Sequence, residues 1–166
     1  TTTPESRLQV VGNITNTASS RFNPVLVGSA VTGGNPTKVR ISGNYAYVVN
    51  ETSQSFEIFD VSTSSPAKVA STTIGGSSYG IYISGRYAYI TNYSLGKLHV
   101  YDISNPSNPT QVASVTATGA YDVYVSGRYA YVTGFSSSAL FIFDVSNPTN
   151  PILISSKTIG TNPAHL

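Results

Sequence analysis

The sequence predicts an all-β chain made of repeated four-stranded antiparallel sheets, and three observations carry that expectation. First, residues 123–151 (VYVSGRYAYVTGFSSSALFIFDVSNPTNP) have a near-copy at 81–109 and a looser copy at 39–66. The spacing is fixed: Gly43, Gly85 and Gly127 are 42 residues apart, and so are Asp60, Asp102 and Asp144. A period of about 40 residues marks stacked supersecondary units. Second, each copy holds four short runs rich in β-branched and aromatic residues, bounded by Gly, Pro, Asn and Ser. Third, no window carries a helical period with caps.

Taken in order, residues 1–7 are polar and read as an extended terminus. Residues 8–14 alternate apolar side chains and read as a strand, 15–22 as a polar insertion, and 25–31 as the strand that follows. Together 8–31 predict a partial repeat. Full repeats are expected over 39–74, 81–116 and 123–159. Their first strands are 39–41, 81–83 and 123–125, and their second strands, with Tyr-Ala-Tyr, are 45–49, 87–91 and 129–133. The third are 56–61, 98–103 and 140–145, and the fourth 68–74, 111–116 and 152–159. Residues 160–166 parallel 34–39 and read as the start of a further repeat.

The turns have a chemical reading. Ser-Gly-Asn/Arg links strands one and two, with Gly supplying the positive φ of a tight hairpin. Asp60, Asp102 and Asp144 open the turn between strands three and four, where a carboxylate accepts the N–H groups that follow it. That is a structural turn role. The third strand is apolar on both faces, with Leu140 and Ile142 on one and Phe141 and Phe143 on the other. Such a strand lies between packed sheets. A four-stranded antiparallel sheet covered on both faces is a blade of a β-propeller. The expected architecture is thus one β-propeller domain or segment over 1–166, with three full blades of about 42 residues and partial blades at both ends. Three arrangements of the ends stay open. The chain is a fragment of a longer propeller, its terminal strands close one blade, or two chains share blades between them.

Ser-Gly-x-Tyr-Ala-Tyr followed by Leu-x-Ile-Phe-Asp-Val-Ser-Asn-Pro resembles the LVIVD repeat of bacterial and archaeal surface proteins. Tyr89-Ile-Thr-Asn92 is similar to the related YVTN surface-layer repeat. The resemblance is strong over 39–159 and weak over 8–31. It implies a β-propeller exported to the cell exterior, in a family mostly without assigned activity.

Composition bears on function by exclusion. The 166 residues are 40% hydrophobic and only 10% charged, with net charge +2 and scattered Lys and Arg. Nothing electrostatic favours nucleic acid or an anionic membrane, and no apolar run approaches spanning length. With no cysteine, thiolate catalysis, disulfides and Cys-based metal sites are excluded. A surface of Ser, Thr, Asn and Tyr suits an extracellular or cell-surface location. The absence of any Met, with Thr1 as first residue, reads as a processed or excised chain.

Candidate sites follow from comparing the copies with one another. The loops between strands two and three, and between strand four and the next first strand, differ from copy to copy and fall on one face. They carry Tyr79, Tyr93, Tyr121 and Phe135, a candidate ligand or partner face. The same rings could simply cap the blade ends. Sequons at Asn13, Asn50 and Asn92 are candidate N-glycosylation sites. Arg40, Tyr82 and Tyr124 occupy equivalent first-strand positions, either lining a channel or filling a gap between blades. His99 aligns with Glu57 and Phe141, and Asp122 is assigned to solvent. No catalytic residue, metal ligand or cofactor is expected. The expectation is a non-enzymatic surface module with a structural or adhesive role, self-assembling through incomplete end blades. Its partners would be other copies of itself or surface proteins; the alternative is a carbohydrate-binding propeller with glycan partners.

Overall fold

The computed structural model describes residues 26–166. Twelve strands follow in chain order: β1 (Pro36–Ser42), β2 (Tyr45–Asn50), β3 (Ser55–Asp60), β4 (Ala67–Thr73), β5 (Ser78–Ser84), β6 (Tyr87–Asn92), β7 (Lys97–Asp102), β8 (Thr110–Thr116), β9 (Ala120–Ser126), β10 (Tyr129–Gly134), β11 (Ala139–Asp144) and β12 (Ile152–Thr158). They form three four-stranded antiparallel sheets, β1-β2-β3-β4, β5-β6-β7-β8 and β9-β10-β11-β12, each from consecutive strands. No helix occurs among the described residues.

The local chemistry explains the register. Ser42 pairs Tyr45, Ser84 pairs Tyr87 and Ser126 pairs Tyr129 across the Ser-Gly turns. The glycines there stand at φ +56°, +56° and +57°, the left-handed region this hairpin demands. At the other end of each sheet, Asp60, Asp102 and Asp144 accept the N–H of Ser62, Ser104 and Ser146 at 2.8, 2.9 and 2.9 Å. Arg128 also pairs with Asp144, and with the Ser146 bonds it holds that carboxyl down at about 2.

The sheets stack face to face, with β1 against β5 and β5 against β9. Alternation assigns each face. Tyr47, Val49, Phe56 and Ile58 of the first sheet meet Ile81, Ala88, Ile90 and Tyr101 of the second. Tyr89, Leu98 and Val100 of the second meet Val123, Ala130, Val132, Phe141 and Phe143 of the third. The alanine between each pair of tyrosines is buried at 8%, 0% and 0% exposure, small enough to let sheet backbones approach.

Both expected end elements differ from the structure where it describes them. No strand forms over 26–31, and the part of the expected 8–31 unit before residue 26 lies outside the described residues. Residues 28–32 instead cross the open face of the first sheet at Ala46, Val48 and Phe59. The Gly33 N–H then donates to Glu57 Oε2 at 3.0 Å. A segment running over a sheet's face has no strand edge beside it to pair with. Residues 160–166 likewise form no strand. They return to the inner end of the third sheet, where the Leu166 N–H approaches Asp122 Oδ2 at 3.4 Å.

Candidate functional site

The inner strands β1, β5 and β9 bring equivalent residues together where the three sheets converge. Thr37, Tyr79 and Tyr121 are 42 residues apart, as are the residues that follow them, Lys38, Gly80 and Asp122. A cavity of about 230 Å³ opens there, lined by Thr37, Lys38, Tyr79, Tyr121, Asp122 and His165.

Asp122 is the centre of this site. Its side chain is only 6% exposed, so the sequence expectation of a solvated Asp122 is corrected. Lys38 Nζ donates to its Oδ1 at 3.2 Å and its Oδ2 at 3.1 Å. The Val123 N–H donates to Oδ1 at 3.0 Å, and His165 Nδ1 stands 3.8 Å from Oδ2. Burial removes water from the carboxylate, and the ammonium and N–H groups replace it. Lys38 and Asp122 lie 84 residues apart, so the pair exists only because the first and third sheets share the second as a neighbour.

The backbone behind Asp122 is held by two threonines. The Asp122 N–H donates to Thr133 Oγ1 at 3.0 Å. The Thr91 hydroxyl accepts from the Gly80 N–H at 2.8 Å and donates to the Tyr121 carbonyl at 2.7 Å. Each threonine fills a bulge where the inner strand slips register against its neighbour, between Ser78 and Ile81 and between Val132 and Gly134. Gly80 permits the close approach: a Cβ there would stand 2.8 Å from both Asp122 Cα and the Tyr121 carbonyl oxygen.

The structure brings Tyr79, Tyr93, Tyr121 and Phe135 into one half-buried aromatic row. Tyr79 and Tyr121 stack at 4.7 Å, Tyr121 and Phe135 lie 5.3 Å apart, and Tyr93 sits 5.8 Å from Tyr79, 6.4 Å from Tyr121 and 6.3 Å from Phe135. The Tyr79 hydroxyl donates to Glu51 Oε1 at 2.6 Å. That bond to a carboxylate, helped by burial, pushes Tyr79 up to about 12.

Other sequence-derived candidates fall elsewhere. Asn50 and Asn92 are corrected as glycosylation sites, because both side chains are 0% exposed. The Asn50 amide donates to Ser55 Oγ, and the Asn92 amide donates to the Gly75 carbonyl while its oxygen accepts from the Leu95 N–H. A carbohydrate on either Nδ2 would replace these bonds inside the loop. Asn13 lies outside the described residues. Tyr82 and Tyr124 meet edge-on at 5.0 Å further along the inner strands. His99 is buried in the second sheet, and neither ring nitrogen has a hydrogen-bond partner among the described residues. Asp60, Asp102 and Asp144 sit at the turns described above. Sequence reasoning missed Lys38 and Asp122 as a pair; the signal available was that position 38/80/122 changes from Lys to Gly to Asp while its neighbours repeat.

The LVIVD repeat model matches three times, over residues 33–73, 75–117 and 118–158. The chain belongs to the LVIVD repeat family. Each match coincides with one four-stranded sheet. No curated protein matches the sequence.

Solved structures share the fold at low identity. A periplasmic gluconolactonase from Pseudomonas aeruginosa aligns with TM-score 0.69 and 18% identity over 80% of this chain and 42% of its own. A candidate 6-phosphogluconolactonase from Bacteroides fragilis gives 0.73 and 16% over 82% and 42%. One from Bacteroides uniformis gives 0.70 and 18% over 82% and 47%. The LVIVD chain thus spans less than half the length of these proteins, whose likeness is one of propeller-like fold.

These matches correct the expectation of a structural or adhesive surface module. The neighbours that share the sheets and their stacking are named as lactonases, and none of these three is named for adhesion. A fold hosts many functions, so the repeat by itself never carried an adhesive role.

Proposed function

We propose that the cavity around Asp122 binds a small cyclic ester and hydrolyses it. The observation that carries this reading is the buried Asp122 carboxylate, open to a cavity and flanked by Lys38 and His165. The neighbours named as lactonases support the choice of ester. In this reading Asp122 takes a proton from water, and the water oxygen attacks the ring carbonyl carbon. Lys38 faces the negative charge that develops on the carbonyl oxygen. The ring C–O bond breaks, and the proton held by Asp122 passes to the released alkoxide. One water and one lactone give one hydroxy acid. Three propeller blades, one per repeat, supply the frame, and the low-charge composition supports a location outside the cytoplasm.

The test is acid release in a pH-stat from glucono-δ-lactone, its 6-phosphate, δ-valerolactone and dihydrocoumarin. Asp122→Asn keeps the shape and removes the base, and is expected to slow turnover by about 10²-fold or more. Absence of wild-type turnover on all four lactones, or an unchanged rate in Asp122→Asn, overturns the reading.

A further inference from the structure

The inner cavity is small for its task. At about 230 Å³ it falls below the range of roughly 300–1,000 Å³ that usually encloses a small-molecule ligand. A ligand seated on Asp122 therefore extends beyond it. The surface it meets next is the aromatic row. Tyr121 lines the cavity, and Phe135 and Tyr93 continue outward from it at 5.3 and 6.4 Å. Tyr93 in turn lines a second cleft, of about 410 Å³, with Ser94, Lys97, Thr116 and Ser136. The rings thus form the bridge between two concavities.

The polar groups of the inner cavity are largely committed. The Thr37 hydroxyl donates to the Ser78 carbonyl at 2.8 Å, and the Tyr79 hydroxyl to Glu51. Asp122 already receives bonds from Lys38, the Val123 N–H and the Leu166 N–H. A polyhydroxylated ring needs a partner for each hydroxyl it buries, and an unpaired one is costly. The walls favour a different ligand, one with a compact polar head and a flat apolar body. Aromatic faces gain from offset or edge-on stacking with such a body, beyond the area they cover.

We propose that Tyr121, Phe135 and Tyr93 form a subsite for an aryl or similarly flat apolar group attached to the ligand held at Asp122. The subsite's place beside a ligand head rests on the reading of the Asp122 cavity given above. The substrate class is then aryl-bearing cyclic esters rather than sugar-derived ones.

Stable lactam analogues separate this subsite from the hydrolytic step. Three are titrated calorimetrically into the wild-type chain: 2-piperidone as the bare ring, 3,4-dihydro-2-quinolinone as the aryl-fused ring, and gluconolactam as the polyhydroxylated ring. The aryl-fused lactam is expected to bind about tenfold tighter than the bare ring, and tighter than gluconolactam. Phe135→Leu and Tyr93→Leu keep apolar bulk without a ring, and each should pull the aryl-over-bare ratio towards one. Tyr124→Ala, on the inner strand away from the row, should leave the ratio as it is. Circular dichroism melts establish that each variant is folded, and Phe135→Tyr, which restores a ring, should restore the ratio. Equal or tighter binding of gluconolactam, a ratio unmoved in both leucine variants, or no binding of any lactam overturns the subsite. Aryl preference without turnover of any lactone leaves the subsite standing and removes the hydrolytic reading instead.

Discussion

At the scale of single residues, the site depends on how closely two inner strands approach. Gly80 faces the Asp122 backbone, and Thr91 closes the gap with bonds to both strands. The neighbours of a Gly80 Cβ would be Thr91 Oγ1 at 2.7 Å and backbone atoms of Tyr121 and Asp122 at 2.8 Å. Backbone in a stacked sheet cannot give way as a flexible side chain does, so the strands must separate. Gly80→Ala is expected to cost about 1–3 kcal/mol and to weaken the binding proposed at Asp122. Gly85→Ala is the contrast. Its Cβ would meet nothing within 4 Å, but the residue must hold φ +56°, at a cost of about 1 kcal/mol. Urea denaturation reads both costs, and lactam titration reads the site. Equal loss of binding in the two variants would show that the Gly80 contact does not position Asp122.

At the scale of elements, the third strand of each sheet presents Glu57, His99 and Phe141 at one equivalent position. Phe141 belongs to the core. Glu57 is ion-paired to Lys68 Nζ at 2.6 Å, whereas His99 is 5% exposed with both ring nitrogens unbonded among the described residues. Burial first, and the Lys97 charge second, push the His99 pKa down. The folded state therefore binds the proton less readily than the unfolded chain. The contribution to stability is complete above the unfolded value of about 6.5 and is lost as pH falls through it towards the folded pKa. Stability measured from about pH 7.5 to about pH 5 should decline, and His99→Phe should flatten that decline. An identical slope in the variant would remove His99 as its source. The strands and turns were legible because the chain could be compared with itself: Tyr-Ala-Tyr and Ser-Gly keep one register three times. The aromatic row was legible for the opposite reason, since Tyr79, Tyr93, Tyr121 and Phe135 fall in segments that vary from copy to copy, although Tyr79 and Tyr121 prove to lie at the starts of β5 and β9 rather than in loops. Asp122 was not, because a lone Asp in a polar chain has solvent as its default, and its burial arises only when three sheets converge. Asn50 and Asn92 misled because a sequon is a local pattern, while their burial comes from the loops folding around them.

At the scale of the whole molecule, three near-identical sheets in a stack cannot have identical surroundings. Val39 and Val123 occupy the same first-strand position, yet Val39 is 52% exposed and Val123 2%. Ile41 is 62% exposed, against 5% for Val125 at its equivalent position. The difference is one of neighbours, because Val123 faces the second sheet while Val39 faces the open end of the stack. Among the described residues, 28–32 cross that end further out, at Ala46 and Val48, and leave the inner strand uncovered. The same substitution at the two positions therefore measures what the stack supplies. Val123→Ala should cost about 2 kcal/mol, from lost apolar burial and the space left behind. Val39→Ala should cost less than about 0.5 kcal/mol. Both keep the backbone N–H, so the Val123 bond to Asp122 survives, and urea midpoints compare packing alone. Equal costs would mean that the open face of the first sheet is covered in solution. A small cost at Val39 and a large one at Val123 would establish that burial here is set by position in the stack rather than by the repeat's own sequence.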